Sequence, residues 1–345
     1  MGVAITELLE GKEISVQDLK GKILAVDAFN MLYQFLTTIR MQDGTPLRDS
    51  KGRVTSHLIG LFSRTTTLMT EGLRLVFVFD GEPPALKRQE RERRHAVKQE
   101  ALLKLKEATA REDVEEMKKY AGRTATLNKE MVDEAKSLVE ALGLPVIQAP
   151  SEGEAQAAFL CRRGDAYAVI SQDADAFLFG APKVVKNLNL TGRRKRTAAL
   201  AYDKISPELL LLDDNLKRLK LSQEQLIVLA LLVGTDYNRQ GIRGIGPKKA
   251  LKLLEEHGTD YAAIFAAVKW DEEYPGLGWH TLLETFQQMS VTEKYELRWQ
   301  PPDTTRLQKL LVEEHEFSEE RITAAMKKLD ENGNQQQRDL GEFFR

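Results

Sequence analysis

Four short runs along the chain are apolar without alternation: residues 23–29 (ILAVDAF), 75–80 (LVFVFD), 145–148 (PVIQ) and 166–171 (AYAVIS). Their richness in Val, Ile, Leu and Phe predicts strands buried on both faces. Between them, residues 55–71, 128–142 and 152–163 carry apolar positions at helical spacing. That alternation predicts an α/β fold, with a mostly parallel central sheet flanked by helices. Residues 82–122 break the rhythm. After Pro83-Pro84 a long charged stretch with few large apolar residues runs to Gly122, too polar for a core helix. It predicts a solvent-exposed helical excursion from the domain. From Ser222 the pattern is mainly helical, and residues 330–336 (DENGNQQ) read as a flexible linker before a short tail.

Composition narrows the function classes. At about 150 residues per domain, 345 residues allow roughly two domains or one large domain with insertions. A 42% hydrophobic content suffices for a substantial core. The longest apolar run, residues 226–233, is too short for a bilayer span, and no signal peptide is evident. One Cys rules out an internal disulfide framework, and five scattered His lack the H-E-x-x-H spacing of zinc hydrolases. Met1-Gly2 through Thr6 formally fits an N-myristoylation pattern, but no second lipid signal or polybasic stretch supports it.

The net charge of −2 hides blocks of opposite sign. Six Lys/Arg and two Glu lie between Lys87 and Lys98, and Arg193-Arg194-Lys195-Arg196 is uninterrupted. Carboxylates concentrate where strands end. Asp27 and Asp80 close two of the apolar runs, Asp173 and Asp175 follow a third, and Glu152 and Glu154 open a helix. Asp236 follows the apolar 226–233 segment. Ligands in open α/β sheets gather beyond the carboxyl ends of strands, so these seven can meet on one rim. Some have structural readings as well: Ser151-x-x-Glu154 fits a capping box, and Asp173 a turn or helix cap. Clustered carboxylates repel unless cations compensate, and hard oxygen ligands suit Mg²⁺. Two ions about 3.5–4 Å apart suit in-line displacement at a phosphodiester.

VDAFNMLYQF (26–35), FVFDGEPPALK (77–87), APSEGEAQAA (149–158), SQDADAFLFG (171–180) and GTDYNRQGIRGIGPKKA (234–250) occur in an order that resembles the flap endonuclease family of structure-specific 5′ nucleases. The resemblance implies cleavage of branched DNA with a 5′ flap, with 5′–3′ exonuclease activity, in lagging-strand maturation and base excision repair. It implies two Mg²⁺ per subunit, with Mn²⁺ as a substitute, held by Asp27, Asp80, Glu152, Glu154, Asp173, Asp175 and Asp236. Lys87 and Arg94 match basic residues that contact the scissile phosphate, where a cation stabilises developing charge. Together with Asp173 they are the expected catalytic residues. Tyr33 matches an aromatic for stacking a nucleotide, although core packing explains a helical Tyr equally well. Residues 82–122 would form the arch that admits the 5′ strand, and Arg193 and Arg194 add a further DNA-binding patch.

Gly241–Ala250 fails as a Walker A loop, because Pro247 stands where Lys is required. It suits a helix–hairpin–helix-like (H2TH) element. Gly244 and Gly246 let backbone approach DNA, Pro247 opens a helix, and Lys248, Lys249 and Lys252 add charge. The family resemblance adds a K⁺ here, on carbonyls around Gly241, Ile242 and Ile245. The tail, with Gln337, Leu340, Phe343 and Phe344, resembles a motif that docks on the replicative sliding clamp. These readings divide the chain into one nuclease domain, 1–330, and a flexible tail, 331–345. Within the domain they place an N-terminal region (1–98), an arch (about 82–122), an internal region (about 116–258) and C-terminal helices (259–330). A monomeric, cytoplasmic, nucleoid-associated enzyme of archaeal type is expected, because the tail lacks a basic extension. The alternatives are a junction resolvase or repair exonuclease of the same superfamily, or a noncatalytic clamp-bound adaptor.

Overall fold

A computed structural model describes the backbone from residue 4 onward, except residues 112, 174, 189–192, 196–201, 205, 344 and 345. Side chains are additionally not described at residues 4, 88–91, 94, 95, 114, 118, 123, 193–195, 202–204 and 332–343. The strands are β1 Gly11–Glu13, β2 Ile23–Asp27, β3 Arg74–Phe79, β4 Val146–Gln148 and β5 Ala168–Ile170. They are followed by β6 Lys183–Lys186, β7 Arg193–Lys195, β8 Tyr202–Lys204 and β9 Glu208–Leu211. Seven form one sheet in the order β1-β9-β6-β5-β2-β3-β4, and β7 and β8 pair separately as an antiparallel ribbon. From β6 to β4 every pairing is parallel, while β9 and β1 add an antiparallel edge.

The helices are α1 Ala28–Thr38, α2 Ser56–Thr70, α3 Arg88–Ala110, α4 Val114–Ala121, α5 Lys129–Ala141, α6 Gly153–Arg163 and α7 Leu212–Leu219. They continue with α8 Gln223–Val233, α9 Pro247–His257, α10 Tyr261–Ala267, α11 Trp270–Glu273, α12 Trp279–Gln287, α13 Thr304–Leu307 and α14 Glu319–Phe343. The pleat of β3 sends Val76 and Val78 into a core with α6, α8 and the following helices. Leu75, Phe77 and Phe79 enter the opposite core, with α1, α2 and α5. Both sheet faces are therefore covered, which is why the central strands carry continuous apolar runs. Gly60 lets α2 approach α1, since a Cβ there would lie 2.3 Å from Phe35 Cγ.

Two boundaries differ from the sequence pattern. The first apolar run stops being a strand at Asp27, because the Asp27 side chain accepts the Asn30 N–H and caps α1. Ala28 and Phe29, which read as strand, are helical. Nor does the chain break at the expected linker 330–336, where α14 continues to Phe343. The charged excursion is helical as expected, comprising α3 and α4. Among the described residues, no helix is long and apolar enough to cross a membrane.

Candidate active site

The carboxyl ends of β2, β3, β4 and β5 lie side by side in the sheet, and strand order reverses direction about β2. Each end delivers an acidic group. Asp27, the last residue of β2, is 6% exposed. Its Oδ1 accepts the Asn30 N–H at 3.0 Å, while Asn30 Nδ2 donates to Asp173 Oδ2 at 3.1 Å. Asn30 thus ties the β2 end to the β5 end. Asp80 follows β3, and its Oδ1 accepts the Gly153 N–H at 2.7 Å. That bond uses one of the free N–H groups at the start of α6.

Glu152 occupies the cap position of α6 without capping it by its side chain. The expected Ser151–Glu154 capping box does not form. Ser151 Oγ instead donates to Glu82 O at 3.1 Å, leaving both glutamates available to the rim. Glu154 Oε1 receives the Ser171 hydroxyl at 3.5 Å, and Ser171 Oγ also accepts the Asp173 N–H at 3.2 Å. Asp175 opens a short 3₁₀ turn after the β5 end. Lys87 Nζ lies 2.6 Å from Glu152 Oε2 and 3.5 Å from Asp236 Oδ2. It also stands 5.1 Å from the centre of the Tyr237 ring.

Electrostatics binds these groups into one cluster. Burial pushes Asp27 up to about 8, with the negative charges of Asp80, Asp173 and Glu152 adding to the shift against the Asn30 bond. Asp80 rises to about 6 through burial and Glu152, restrained by Gly153 and Lys87. Glu154 is raised well above the carboxylate range by burial, Asp175, Asp27 and Asp173. Burial works against the Lys87 cation, yet Glu152, Tyr237 and Asp236 outweigh it and hold the amine above the usual lysine range. The Tyr237 phenol is likewise raised, by burial and then by Glu152.

Such a rim has too much negative charge for one lysine to balance. The donor set is all oxygen, which suits a hard divalent ion. Among the described residues, no three Asp, Glu, His or Cys side chains are gathered closely enough to hold an ion as they stand. An ion here would keep several waters, as Mg²⁺ does elsewhere.

All seven expected carboxylates and Lys87 are therefore linked to the same rim. Arg94 falls on α3, and its side chain lies outside the described residues. The same holds for Arg193 and Arg194 on β7, and for Gln337, Leu340 and Phe343 on α14; Phe344 lies outside altogether. Tyr33, on α1, is 38% exposed, with Lys98 Nζ 5.6 Å from its ring centre.

The glycine turn joins α8 to α9. Gly246 caps α9 and Pro247 is its first residue, while Gly244 takes a φ of 79°. Lys248, Lys249 and Lys252 are exposed, with Lys249 Nζ donating to Gly244 O at 2.8 Å and Lys252 pairing with Glu256 at 3.3 Å. Of the carbonyls considered for K⁺, Gly241 O accepts the Tyr274 hydroxyl and Ile242 O accepts the Ile245 N–H.

Sequence reasoning missed Asn30, Gly153, Ser171 and Tyr237. Each lies within three positions of an acidic rim residue, which is the only sequence signal it gives, although Gly153 serves the distant Asp80 and Tyr237 the distant Lys87.

Residues 2–101 match the XPG N-terminal domain and residues 143–236 the XPG I-region. The chain is 49% identical over 329 residues to flap endonuclease 1 of Pyrococcus horikoshii, covering 95% of this chain and 94% of that one. Among solved structures, flap endonuclease-1 from Methanococcus jannaschii aligns with a TM-score of 0.74 at 40% identity. That match covers 96% of this chain and 98% of the other. The catalytic core of Rad2 in complex with DNA substrate aligns at 0.67 and 25% identity, covering 92% and 96%.

Proposed function

Since the chain belongs to the flap endonuclease family, we propose that its acidic rim hydrolyses a phosphodiester where a 5′ single strand leaves duplex DNA. The observation that carries this is a set of seven carboxylates from four neighbouring strand ends and the end of α8, linked by hydrogen bonds and mutual charge, with Lys87 among them. Family nucleases of this kind depend on divalent metal. Two Mg²⁺, replaceable by Mn²⁺, would be held by Asp27, Asp80, Glu152, Glu154, Asp173, Asp175 and Asp236. When bound, such ions neutralise the rim, activate a water and stabilise the leaving oxygen.

The chain's own residues do the rest. Asn30 and Gly153 hold Asp173 and Asp80 in fixed orientation, as a reacting centre requires. The Lys87 ammonium, which Glu152 and Asp236 hold at the rim before metal enters, would face the scissile phosphate and stabilise its developing charge. Arg94 on α3 would add a second cation there. Tyr33 would stack the nucleotide beside the cut, α3 and α4 would border the 5′ strand, and the start of α9 would hold duplex phosphates. Arg193 and Arg194 would extend that contact, and a K⁺ at the turn would use whatever carbonyl capacity remains.

The substrate is branched DNA, and the setting is lagging-strand maturation and repair. Residues 1–330 act as one monomeric nuclease unit, and the tail, through Gln337, Leu340, Phe343 and Phe344, docks on the sliding clamp. Asp173→Ala protein, mixed with flap, nicked and four-way DNA in Mg²⁺, tests the assignment. Retained flap binding with cleavage nearly abolished is expected. Undiminished cutting would remove Asp173 from the chemistry, and wild-type preference for the four-way substrate would reject the flap assignment.

A further inference from the structure

Lys87 touches the rim at three places, and only one of them is neutral. Glu152 and Asp236 are the two charged contacts. Both are carboxylates that divalent ions would claim, so both lose hold on the ammonium when the site is loaded. The third contact is the face of Tyr237, 5.1 Å below Nζ. A π face attracts a cation and has no affinity for a strongly hydrated divalent ion in competition with carboxylate.

The ring is built in as a fixed surface. Tyr237 is 8% exposed and packs edge-on against Phe286, with centroids 5.3 Å apart, and Phe286 in turn rests on Phe179 at 5.3 Å. The turn that carries the ring is locked on its other side. Thr235 Oγ1 accepts the Tyr237 N–H at 3.1 Å and donates to Asn238 Oδ1 at 2.7 Å, and Asn238 Nδ2 reaches Leu231 O at 2.6 Å. The Tyr237 hydroxyl, by contrast, is buried with no hydrogen-bond partner among the described residues. The feature of this side chain that is engaged is its ring.

We propose that Tyr237 is a positioning residue for Lys87, its ring holding the ammonium over the reacting rim while metal ions occupy the neighbouring carboxylates. This rests on the catalytic reading of Lys87 given above, and the test separates the two.

Single-turnover cleavage of a flap substrate in Mg²⁺ is measured for Tyr237→Phe, Tyr237→Leu, Lys87→Ala and the Lys87→Ala/Tyr237→Leu double variant. In parallel, the acetylation rate of Lys87 by an N-hydroxysuccinimide ester is followed by peptide mass spectrometry with Mg²⁺ and with chelator. Tyr237→Phe keeps the ring and is expected to cleave within about twofold of wild type. Tyr237→Leu should lose about tenfold in rate, equivalent to about 1.4 kcal/mol of barrier, with little change in KM. Its Lys87 should acetylate severalfold faster than wild type in Mg²⁺. On the Lys87→Ala background the Leu substitution should cost nothing further.

The proposal is overturned if Tyr237→Phe is as slow as Tyr237→Leu, which would move the role to the hydroxyl. It is also overturned if the Leu effect persists in full without Lys87, or if Lys87 acetylation is unchanged. Wild-type cleavage by Lys87→Ala would instead refute the catalytic reading of that lysine, and the acetylation rates would still decide whether the ring holds it. Should the Leu variant fail to fold, Tyr237→Met, whose longer and more flexible side chain adapts better to the space the ring leaves, carries the same expectations.

Discussion

Gly153 stands between two rim glutamates, and replacing it with Ala would separate the geometry of the site from its charge. The residue is at the start of α6, outside the positive-φ region, so Ala meets no backbone obstacle. The obstacle is space. A Cβ at this position would lie 2.6 Å from Asp80 Oδ1, whereas ordinary contact begins near 3.4 Å. The Asp80 carboxylate must therefore retreat by about 0.8 Å, and the 2.7 Å bond it accepts from the Gly153 N–H is stretched or lost. Loss of that charge-assisted bond costs about 1.5–3 kcal/mol. The gain in helix propensity offsets about 1 kcal/mol of it, so net destabilisation should stay at about 0.5–2 kcal/mol. Catalysis is far less tolerant, since a displacement of about 1 Å costs about 10²-fold in rate. The expected outcome is a folded protein with flap affinity near wild type, a single-turnover rate lowered about 30–100-fold, and a raised Mg²⁺ requirement. Wild-type cleavage by a folded Gly153→Ala protein would refute the claim that Asp80 is held in a working position by this backbone.

The remaining expectations use other parts of the molecule. Asp27 and Asp80 have folded-state pKa values raised from 3.8 to about 8 and about 6, so the stability linked to their neutral forms is complete below about pH 4 and lost as pH rises through those values. Unfolding free energies from denaturant titrations in chelator should therefore fall from pH 5 to pH 8, by up to about 1.4 kcal/mol per pH unit per group, while Mg²⁺ restores more stability at pH 8 than at pH 5. A Mg²⁺ effect independent of pH would contradict the shared-rim electrostatics. Gly143→Ala should destabilise by at least about 2 kcal/mol in urea titrations, because Gly143 has a φ of 74° and an added Cβ would meet Gln300 O at 1.9 Å. Removing residues 337–345 should leave basal flap cleavage within about twofold but abolish its stimulation by the sliding clamp; retained stimulation would refute clamp docking through the tail.

The parts of this molecule that were legible in the sequence are those where burial on both sides of the sheet forced an unbroken apolar run, as in β2, β3 and β5. The strands that went unread are short and carry charge: GKE in β1, KVVK in β6, RRK in β7, YDK in β8 and ELLL in β9. At three or four residues with charged ends, neither periodicity nor composition separates a strand from a loop. The acidic rim was legible for a related reason. A carboxylate placed straight after an apolar strand has little to bond with unless neighbours supply it, and Asp27 and Asp80 meet that description on sequence grounds alone.

What could not be read is the apparatus that holds the charges, because its members are ordinary residues whose roles depend on proximity across the fold. Asn30 bridges 143 positions to Asp173, and Gly153 bridges 73 to Asp80. Ser151 shows the reverse case. It sits at the right spacing for a capping box, yet its hydroxyl goes to Glu82 O and the helix is entered one residue later, at Glu152. Local propensity at this helix start yields to the rim. The same priority explains why Glu152 occupies a cap position without capping: its carboxylate is held by Lys87, 65 residues earlier in the chain. A chain that gives up two local stabilising contacts at one helix terminus, and gathers carboxylates that raise one another's pKa, is organised around a cation.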